Sequence, residues 1–407
     1  MTELPESVAV VGGGLAGFSA ARTLRESGYD GRLTLVDPSR LPYDRPPLSK
    51  GFLQGETQQE DLLLAPAHWY DDHRVDVVAG RVTRLDAAAG RVVLASGREL
   101  SADRVLLTTG SRARELPVPG GDLPGIHRLR SISDAERLSE CLAPGRHLAI
   151  IGAGLIGAEV ASSARRLGAD VTLVDPVPVP LVRAVGHDLA VRLHQMHEAA
   201  GVRTVTGQVA AIRQAAGHYT ITLSTGDELT ADNVLAAVGG LPETDLARTA
   251  GLDTDDGILV DARQQTSNPA VYAAGDSARL RTTDGTLAQR AEHWEAARQS
   301  GQRAAAAMLG KDLGTIISSW FWTDRHGVHA EAFGDMASGE GRIVLRGHQG
   351  DAFFAAFHVR EDGTLLGAAA LNDPQTVRAA RKIHERNKQV DPALLADPAT
   401  NLRRLAR

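Results

Sequence analysis

The chain has almost no cysteine. Cys141 is the single cysteine among 407 residues, so no intramolecular disulfide can form and no cysteine cluster can hold an iron–sulfur centre. A redox-active C-x-x-C pair is excluded for the same reason. Scarce cysteine fits a reducing compartment, and we expect a cytoplasmic location.

Long apolar runs and surplus positive charge are missing as well. No run of about 18 apolar residues could span a bilayer, so we expect no membrane partner. Lysine and arginine number 44 against 50 aspartate and glutamate, a net charge of −6, which disfavours a nucleic-acid partner. The length exceeds that of one compact core and predicts two or three domains.

The histidines do not form a recognisable metal motif. His194-x-x-His197 and His326-x-x-His329 have the spacing of one helical turn, but neither has the H-E-x-x-H frame or an evident third ligand. We therefore expect no metal site.

What the chain does contain is the same glycine pattern twice. Gly12-x-Gly14-x-x-Gly17 and Gly152-x-Gly154-x-x-Gly157 have the spacing of a dinucleotide-binding turn, in which the glycines permit a tight turn, approach of a pyrophosphate and packing of helix on strand. The phosphates lie at the helix N-terminus. Each copy follows an apolar run and precedes an alanine-rich segment, which predicts strands at Val8–Val11 and His147–Ile151 and helices at Phe18–Glu26 and Ala158–Leu167.

An acidic residue ends the second strand of each repeat. Asp37 lies 20 residues after Gly17, and Asp175 lies 18 residues after Gly157. About 20 residues is the distance at which a carboxylate meets an adenosine ribose. The alternative is that each acid only caps a turn at a strand end.

Several further motifs resemble those of FAD-dependent, NADH-linked ferredoxin reductases that serve bacterial ring-hydroxylating dioxygenases and cytochrome P450 systems. The most specific is Tyr43-Asp-Arg-Pro-Pro-Leu-Ser-Lys50, and the resemblance covers nearly the whole chain. The other pieces follow in family order: Thr109-Gly110 with Arg114, Leu129-Arg130, Ala274-Gly275-Asp276, Glu292-His-Trp294 and Phe321-Trp322-Thr-Asp324.

The resemblance implies an α/β, glutathione-reductase-like fold with two Rossmann-like dinucleotide-binding domains and a C-terminal α/β domain. The FAD-binding domain is expected to be discontinuous, at 1–112 and 240–315, because Gly275 and Asp276 resume a flavin-type pattern. The NAD-binding domain is then inserted at 113–239, and the C-terminal domain spans 316–407.

The same resemblance implies roles at the FAD. Asp37 would meet the adenosine ribose, Asp276 the ribityl hydroxyls, and Trp294 the pyrimidine end of the flavin through its main-chain N–H. Trp322 would shield the flavin from solvent, although both tryptophans could also be ordinary core residues. The expected FAD set is completed by Gly12, Gly14, Leu15, Ala16, Gly17, Arg45, Lys50, Val82 (through its backbone), Thr109, Gly110, Arg114, Arg130, Gly275, Glu292 and His293.

Around the second glycine motif the resemblance implies a site for NADH. Asp175 would accept hydrogen bonds from a ribose diol and repel a 2′-phosphate, and no arginine occurs between Pro176 and Val182, which favours NADH over NADPH. Arg183 could still approach this ribose. The expected NAD set also includes Gly152, Gly154, Leu155, Ile156, Gly157, Glu159 and Gly239.

Lys50 and Glu159 are the expected catalytic pair. In the family the lysine lies by flavin N5 and meets a carboxylate, for which Glu159 is the candidate. A plainer interpretation of Glu159 is a first-turn helix acid that interacts with the macrodipole.

The implied reaction carries electrons from NADH through FAD to a transiently bound [2Fe-2S] ferredoxin. The segment from Tyr43 to Gly51 contains no cysteine, which disfavours disulfide, coenzyme A disulfide and peroxide reduction through a thiol. The remaining alternatives are an NADH-dependent reductase of a quinone or monodehydroascorbate, and a low-turnover signalling flavoprotein. The basic tail from Val377 to Arg407 could attract an acidic ferredoxin or be only a solvated helix face.

Overall fold

The chain divides into two units in the computed structural model, which describes residues 4–312, 314, 318, 320–348 and 350–407. The first unit comprises Met1–Arg45, Gln59–Arg112 and Gly240–Ile316, and the second comprises Pro46–Gln58, Ala113–Gly239 and Ile317–Arg407. The expected domain boundary at 315/316 lies outside the described residues. Among the described helices, none combines the length and apolar composition that a bilayer crossing requires.

Alternating strands and helices open the chain, with 3₁₀ turns at Pro46–Ser49 and Glu60–Leu62. The elements up to Ala113 are β1 (Ser7–Val11), α1 (Leu15–Glu26), β2 (Arg32–Asp37), α2 (Ala67–Asp72), β3 (Val75–Ala79), β4 (Val82–Asp86), β5 (Arg91–Leu94), β6 (Glu99–Ser101), β7 (Arg104–Leu107) and β8 (Ser111–Ala113).

The middle of the chain repeats this alternation. Its elements are β9 (Ile126–His127), α3 (Ile132–Ser139), β10 (His147–Ile151), α4 (Leu155–Arg166), β11 (Asp170–Asp175), α5 (Val182–Val185), α6 (His187–Ala199), β12 (Arg203–Thr206), β13 (Val209–Ala215), β14 (His218–Leu223), β15 (Glu228–Ala231) and β16 (Asn233–Ala236).

The last third completes both units. Its elements are β17 (Gly240–Pro242), α7 (Asp245–Thr249), β18 (Ile258–Val260), β19 (Val271–Ala273), β20 (Ala278–Leu280), α8 (Trp294–Met308), β21 (Trp320–Arg325), β22 (Val328–Gly334), β23 (Arg342–Arg346), β24 (Phe354–Val359), β25 (Leu365–Leu371), α9 (Pro374–Glu385), α10 (Pro392–Ala396) and α11 (Leu402–Leu405).

Each unit contains a five-stranded parallel sheet of the doubly wound kind. The strand order is β19-β7-β1-β2-β3 in the first unit and β12-β11-β10-β16-β9 in the second. In both, the glycine loop leaves a central strand and the acid ends its neighbour, so loop and acid meet at one sheet edge. The predicted pair of Rossmann-like folds is confirmed.

The helices after the two glycine loops begin earlier than the sequence pattern predicts. They start at Leu15 and Leu155, directly after the second glycine of each motif, rather than at Phe18 and Ala158. Gly14 and Gly154 are the N-cap residues and make no side-chain capping bond, so the N–H groups of the first turn point out of the helix end.

An antiparallel sheet of order β21-β22-β25-β24-β23 forms the C-terminal part of the second unit. The amphipathic helix α9 covers one face through Val377, Ala380 and Ile383, which pack with Phe333 and Phe357. The other face packs on α5 and α6 in a shared apolar cluster. The predicted C-terminal α/β domain is therefore present, with its sheet packed against the helices that follow the second glycine motif.

Two glycines bring α8 and the turn before it close against α1 in the first unit. A Cβ at Gly301 would lie 2.1 Å from the Ala16 carbonyl oxygen, and a Cβ at Gly275 would lie 2.9 Å from the Ala16 Cβ. The backbones approach so closely that the turn carrying Asp276 is held at the start of α1.

Substitution of Gly301 by alanine should therefore destabilise the first unit. The new methyl group meets backbone that cannot move away, and such overpacking costs about 1–3 kcal/mol. We expect the thermal midpoint of the isolated protein to fall by roughly 2–12 °C, measured by circular dichroism. Gly339→Ala is the matched control, because a Cβ there has no neighbour within 4 Å; equal midpoints for the two variants would refute the packing argument.

Candidate functional site

The first glycine loop is shaped for a dinucleotide by three close approaches. Gly12 has φ +111°, and a Cβ on it would lie 2.2 Å from the Thr108 carbonyl oxygen. A Cβ at Gly17 would lie 2.0 Å from the Gly12 carbonyl oxygen, and one at Gly14 would lie 2.8 Å from Arg45 Nη1. The loop thus has no room for side chains, and a guanidinium lies over the glycine that faces the phosphate position, where it suits phosphate oxygens.

Asp37 is held at the edge of this loop. The Gly13 N–H donates to its Oδ2 at 2.6 Å and the Ser39 N–H donates to its Oδ1 at 2.7 Å. Each carboxylate oxygen can accept a further bond, as recognition of a ribose diol requires. Asp37 is thus bonded both to the glycine loop and to the turn that follows β2.

The second loop repeats this geometry. Gly152 has φ +104°, and a Cβ at Gly157 would lie 1.9 Å from the Gly152 carbonyl oxygen. Asp175 accepts from the Ala153 N–H at 2.7 Å and from the Val177 N–H at 2.9 Å. Both loops therefore fit a dinucleotide on the same criteria.

The two loops differ in what surrounds the middle glycine. Arg45 lies over Gly14, whereas a Cβ at Gly154 would have no neighbour within 4 Å. Ile156, in the first turn of α4, is 43% exposed, while Ala16 at the matching position is buried. The first loop is covered by the Arg45 side chain, which suits a tightly held cofactor. The second loop is not covered at its middle glycine, which suits a cofactor that exchanges.

Other residues expected near FAD gather at the Asp276 turn of the first unit. Ser111 Oγ donates to Asp276 Oδ2 at 3.0 Å, and Gly275, with φ +74°, donates its N–H to Ser300 Oγ at 3.0 Å. Thr109 and Gly110 bond the backbone of Glu243. The structure brings the turn, the 109–111 segment and the start of α1 together.

Trp294 begins α8, so its main-chain N–H belongs to the first turn of the helix. Its indole N–H donates to Asp44 Oδ1 at 2.9 Å, a partner that the sequence did not predict. His293 is the N-cap residue, and burial lowers the pKa of its imidazole. Glu292 pairs with Arg290.

The remaining expected residues are placed as follows. Val82 opens β4 at an irregularity of the strand pairing, and Leu15 and Leu155 each start their helix. Arg183 is an exposed residue of α5. In the second unit, the Arg114 N–H donates to the Gly239 carbonyl at 2.9 Å, and the Arg130 N–H donates to Asp134 at 3.1 Å.

Lys50 and Glu159 meet inside the second unit. Lys50 Nζ lies 3.3 Å from Glu159 Oε1. Glu159, which is 6% exposed, also accepts hydrogen bonds from Ser49 Oγ at 2.5 Å and from Thr323 Oγ1 at 2.7 Å. It lies beyond the first turn of α4, so the interpretation as a macrodipole acid does not hold.

Asp324 is a second carboxylate partner of Lys50, at 3.0 Å between Nζ and Oδ2. Burial on its own would raise the pKa of Asp324, but the hydrogen bond from His329 and the charge of Lys50 outweigh it and lower the pKa to about 2. Hydrogen bonds to Asp324 and Glu331 raise the pKa of His329 to about 9. An ionic chain therefore runs from Glu159 through Lys50 and Asp324 to His329.

Trp322 lies beside this chain, with Lys50 Nζ 5.3 Å from its ring centroid. That distance suits a cation–π contact. The ring is partly exposed and packs against Trp320 at 5.5 Å between centroids, so it is not an ordinary core residue.

Next to the ionic chain lies a cluster of arginine and histidine side chains. Arg325 is 3% exposed, and burial lowers its pKa to about 10. His326 Nε2 lies 2.9 Å from His197 Nδ1, and burial with the nearby Arg325 charge lowers their pKa values to about 4 and 3. Among the described residues, no group of three or more potential ligands could hold a metal ion.

Sequence reasoning missed several members of the site. Asp324 belongs to a quoted motif but received no role, and Ser49, Thr323 and His329 received none. The signal for His329 was its position five residues after Asp324, since a hairpin with a two-residue turn between them pairs these positions. Cys141 is half-buried, with its Sγ 3.5 Å from His127 Nε2.

Two families match the chain. Residues 6–301 match the pyridine nucleotide-disulphide oxidoreductases, and residues 320–406 match a domain described as reductase C-terminal. The chain is 37% identical to the ferredoxin reductase component of chlorobenzene dioxygenase from Cupriavidus sp. strain PS12, over 98% of this chain and 97% of that protein. It is 38% identical to the ferredoxin–NAD(+) reductase component of the biphenyl dioxygenase system from Paraburkholderia xenovorans, over 98% of both.

Solved structures agree with these relatives. The ferredoxin reductase for the CYP199A2 system of Rhodopseudomonas palustris has a TM-score of 0.93 at 31% identity, covering 99% of this chain and all of that one. Putidaredoxin reductase in its covalent complex with putidaredoxin has a TM-score of 0.91 at 31% identity, covering 98% and 97%.

The ionic chain predicts how stability depends on pH. Because folding raises the pKa of His329 from 6.5 to about 9, its stabilisation is complete below pH 6.5 and is lost as pH rises through 9. Folding lowers the pKa of Asp324 from 3.8 to about 2, so that contribution is lost as pH falls through this range. The stability difference between wild type and His329→Gln, measured by urea unfolding, should therefore shrink between pH 6.5 and 9.5.

The control for this measurement is His348→Gln. His348 is exposed in the same unit, and the difference in the free energy of unfolding between wild type and His348→Gln should stay constant between pH 6.5 and 9.5. A constant difference between wild type and His329→Gln across the range would contradict the ionic chain.

Proposed function

The chain belongs to the pyridine nucleotide-disulphide oxidoreductase family, and we propose that it is an FAD-dependent NADH:ferredoxin reductase. Its electrons pass from NADH through the flavin to a [2Fe-2S] ferredoxin that serves a cytochrome P450 or a ring-hydroxylating dioxygenase. The single observation that carries the proposal is the pair of glycine loops with anchored acids, in a chain without a redox cysteine pair.

When bound, FAD takes two electrons from NADH and passes them on singly, and the protein supplies binding, orientation and electrostatics. In the first unit the loop at Gly12 would hold FAD, with Arg45 available to the phosphates and Asp37 to the ribose. Asp276, at its glycine turn, would accept hydrogen bonds from the ribityl hydroxyls. Lys50 provides a fixed positive charge, and the carboxylate of Glu159 holds that charge in place.

We propose the second loop as the NADH site and retain the assignment of FAD to 1–112 and 240–315, NADH to 113–239 and the C-terminal domain to 316–407. The unit boundaries after Arg112 and before Gly240 support it. One segment differs, since Pro46–Gln58 belongs to the second unit. A cytoplasmic location is proposed from the scarce cysteine.

A single substitution in each loop tests this assignment. Asp175→Asn removes a charge-assisted bond to the ribose diol and the repulsion of a 2′-phosphate, so we expect the ratio of kcat/KM for NADH over NADPH to fall about 10- to 100-fold. Steady-state kinetics with both nucleotides measures the ratio.

Asp37→Asn is the matched control, because it changes the equivalent acid of the other loop. It should lower the FAD content of the purified protein and leave the nucleotide preference as it is. The opposite pattern, with Asp175→Asn losing FAD, would reverse the assignment of the two loops.

The acceptor is proposed to be a ferredoxin because both the relatives and the surface favour one. Arg378 and Lys382 are exposed along one face of α9, and Arg386, directly after the helix, joins Arg403 and Arg407 with them around a groove of ≈380 Å³. Lys382 and its neighbours can attract an acidic [2Fe-2S] protein.

Acceptor kinetics test this part of the proposal. Stopped-flow mixing with NADH should reduce the flavin rapidly, and a [2Fe-2S] ferredoxin should then reoxidise it faster than quinones or monodehydroascorbate. The rate with ferredoxin should fall as salt rises. Arg378→Glu/Lys382→Glu should slow the reaction about tenfold at low salt and weaken this dependence.

Arg98→Glu/Arg203→Glu, at two exposed positions outside the groove, changes the net charge by the same amount and should change neither property. Slow flavin reduction by NADH would favour the signalling flavoprotein instead. A preference for quinone or monodehydroascorbate would favour the small-acceptor reductase.

A further inference from the structure

Asp324 connects two cations through its two oxygens. Oδ2 lies 3.0 Å from Lys50 Nζ, and Oδ1 lies 2.6 Å from His329 Nδ1. The carboxylate is therefore held from both sides, and its orientation toward the lysine depends on the histidine.

The strand register sets this arrangement. Arg325 pairs with Val328, so β21 and β22 are joined by the two residues His326 and Gly327, whose φ values are +50° and +75°. Two left-handed residues form a type I′ hairpin turn, which fixes the register. Asp324 and His329 are then directly opposite each other, at the distance over which cross-strand pairs interact.

His329 is itself held on three sides. Its Nε2 lies 3.0 Å from Glu331 Oε1, two residues along the same strand face, and its main-chain N–H donates to Asn372 Oδ1 at 3.0 Å. Because each ring nitrogen faces a carboxylate oxygen, both nitrogens must donate. The imidazole is therefore a cation between Asp324 and Glu331.

We propose that His329 is a positioning residue for Lys50, which it orients by holding the Asp324 carboxylate as an anion with one oxygen directed at the lysine. This inference rests on the proposed function, in which Lys50 supplies a fixed positive charge. His329 contacts neither nucleotide in this scheme and acts only through Asp324.

The charges around His329 come from several elements. Asp324 lies on β21 and Glu331 on β22, while the end of β25 provides the neutral Asn372. The helices packed on β22, α5 and α9, carry Arg183, Arg378, Arg381, Lys382, His384 and Glu385, none of which is ion-paired with His329 within the part of the chain that the structure describes. A cavity of ≈720 Å³, lined by Lys50, Asp324 and His329 among others, lets solvent protons reach the imidazole.

Two substitutions separate the charge of His329 from its volume. His329→Gln keeps a polar side chain without charge, and His329→Arg keeps a cation at every accessible pH. Flavin reduction by NADH is followed by stopped flow from pH 6 to 10 in the FAD-loaded wild type and variants, with His348→Gln as the control.

We expect the wild-type rate to decline as pH rises through about 9, where the imidazole loses its proton. His329→Gln should be slower on the order of tenfold at pH 7 and lack this decline, whereas His329→Arg should stay near the wild-type rate and also lack it. His348→Gln should follow the wild type. An alkaline decline that persists unchanged in both His329 variants would overturn the proposal.

A second readout needs no NADH. The protein contains only four lysines, Lys50, Lys311, Lys382 and Lys388. Labelling of the FAD-loaded protein with ¹⁵N-lysine therefore resolves the Nζ signal of Lys50, which is assigned by its loss in Lys50→Met. His329→Gln should shift this signal and His329→Arg should leave it near its wild-type position. If NADH fails to reduce the flavin of the wild type, the proposed function is wrong, but the Nζ signal of Lys50 still tests the positioning role. If that signal has the same position in wild type and His329→Gln, the positioning role alone is overturned.

Discussion

A carboxylate buried in the second unit, that of Glu159, organises much of what surrounds it. A buried charge must be matched by donors or opposite charge, and Glu159 obtains them from Ser49, Thr323 and Lys50. These partners come from the 3₁₀ turn at Pro46–Ser49, from β21 and from the residue that follows the turn. The carboxylate thereby joins α4 to segments more than a hundred residues away in either direction, and Pro46–Gln58 belongs to the same unit as α4.

The need to match each partly buried charge with an opposite charge applies also to the neighbours of Glu159. Lys50 carries one charge and faces two carboxylates, so a further cation stabilises Asp324, and His329 supplies it. Arg325 lies close behind, buried and bonded to Thr323 Oγ1. Charges alternate in sign along the chain of contacts, an arrangement in which each group lowers the cost of burying its neighbour.

The degree to which sequence anticipated this site varies with the range of each interaction. The glycine loops and their acids were predictable because all of their parts lie within one βαβ repeat, where spacing translates directly into geometry. The pairing of Lys50 with Glu159 was expected only through family resemblance. Asp324 and His329 were missed, since their meeting depends on the register of a hairpin whose turn, His326–Gly327, lacks the Asn-Gly or Asp-Gly pair that signals a type I′ turn.

By itself, the sequence determined that two dinucleotide-binding glycine loops exist, that an acid ends the neighbouring strand beside each loop, and that no thiol pair can take electrons from the flavin. Those conclusions rest on local spacing and on composition, which folding does not alter. Only the tertiary structure decided that Arg45 covers the first loop while the second stays open, and that Lys50 is held by an ionic chain ending at His329. These features join residues far apart in sequence, and burial and sheet register, rather than spacing, bring them within bonding distance.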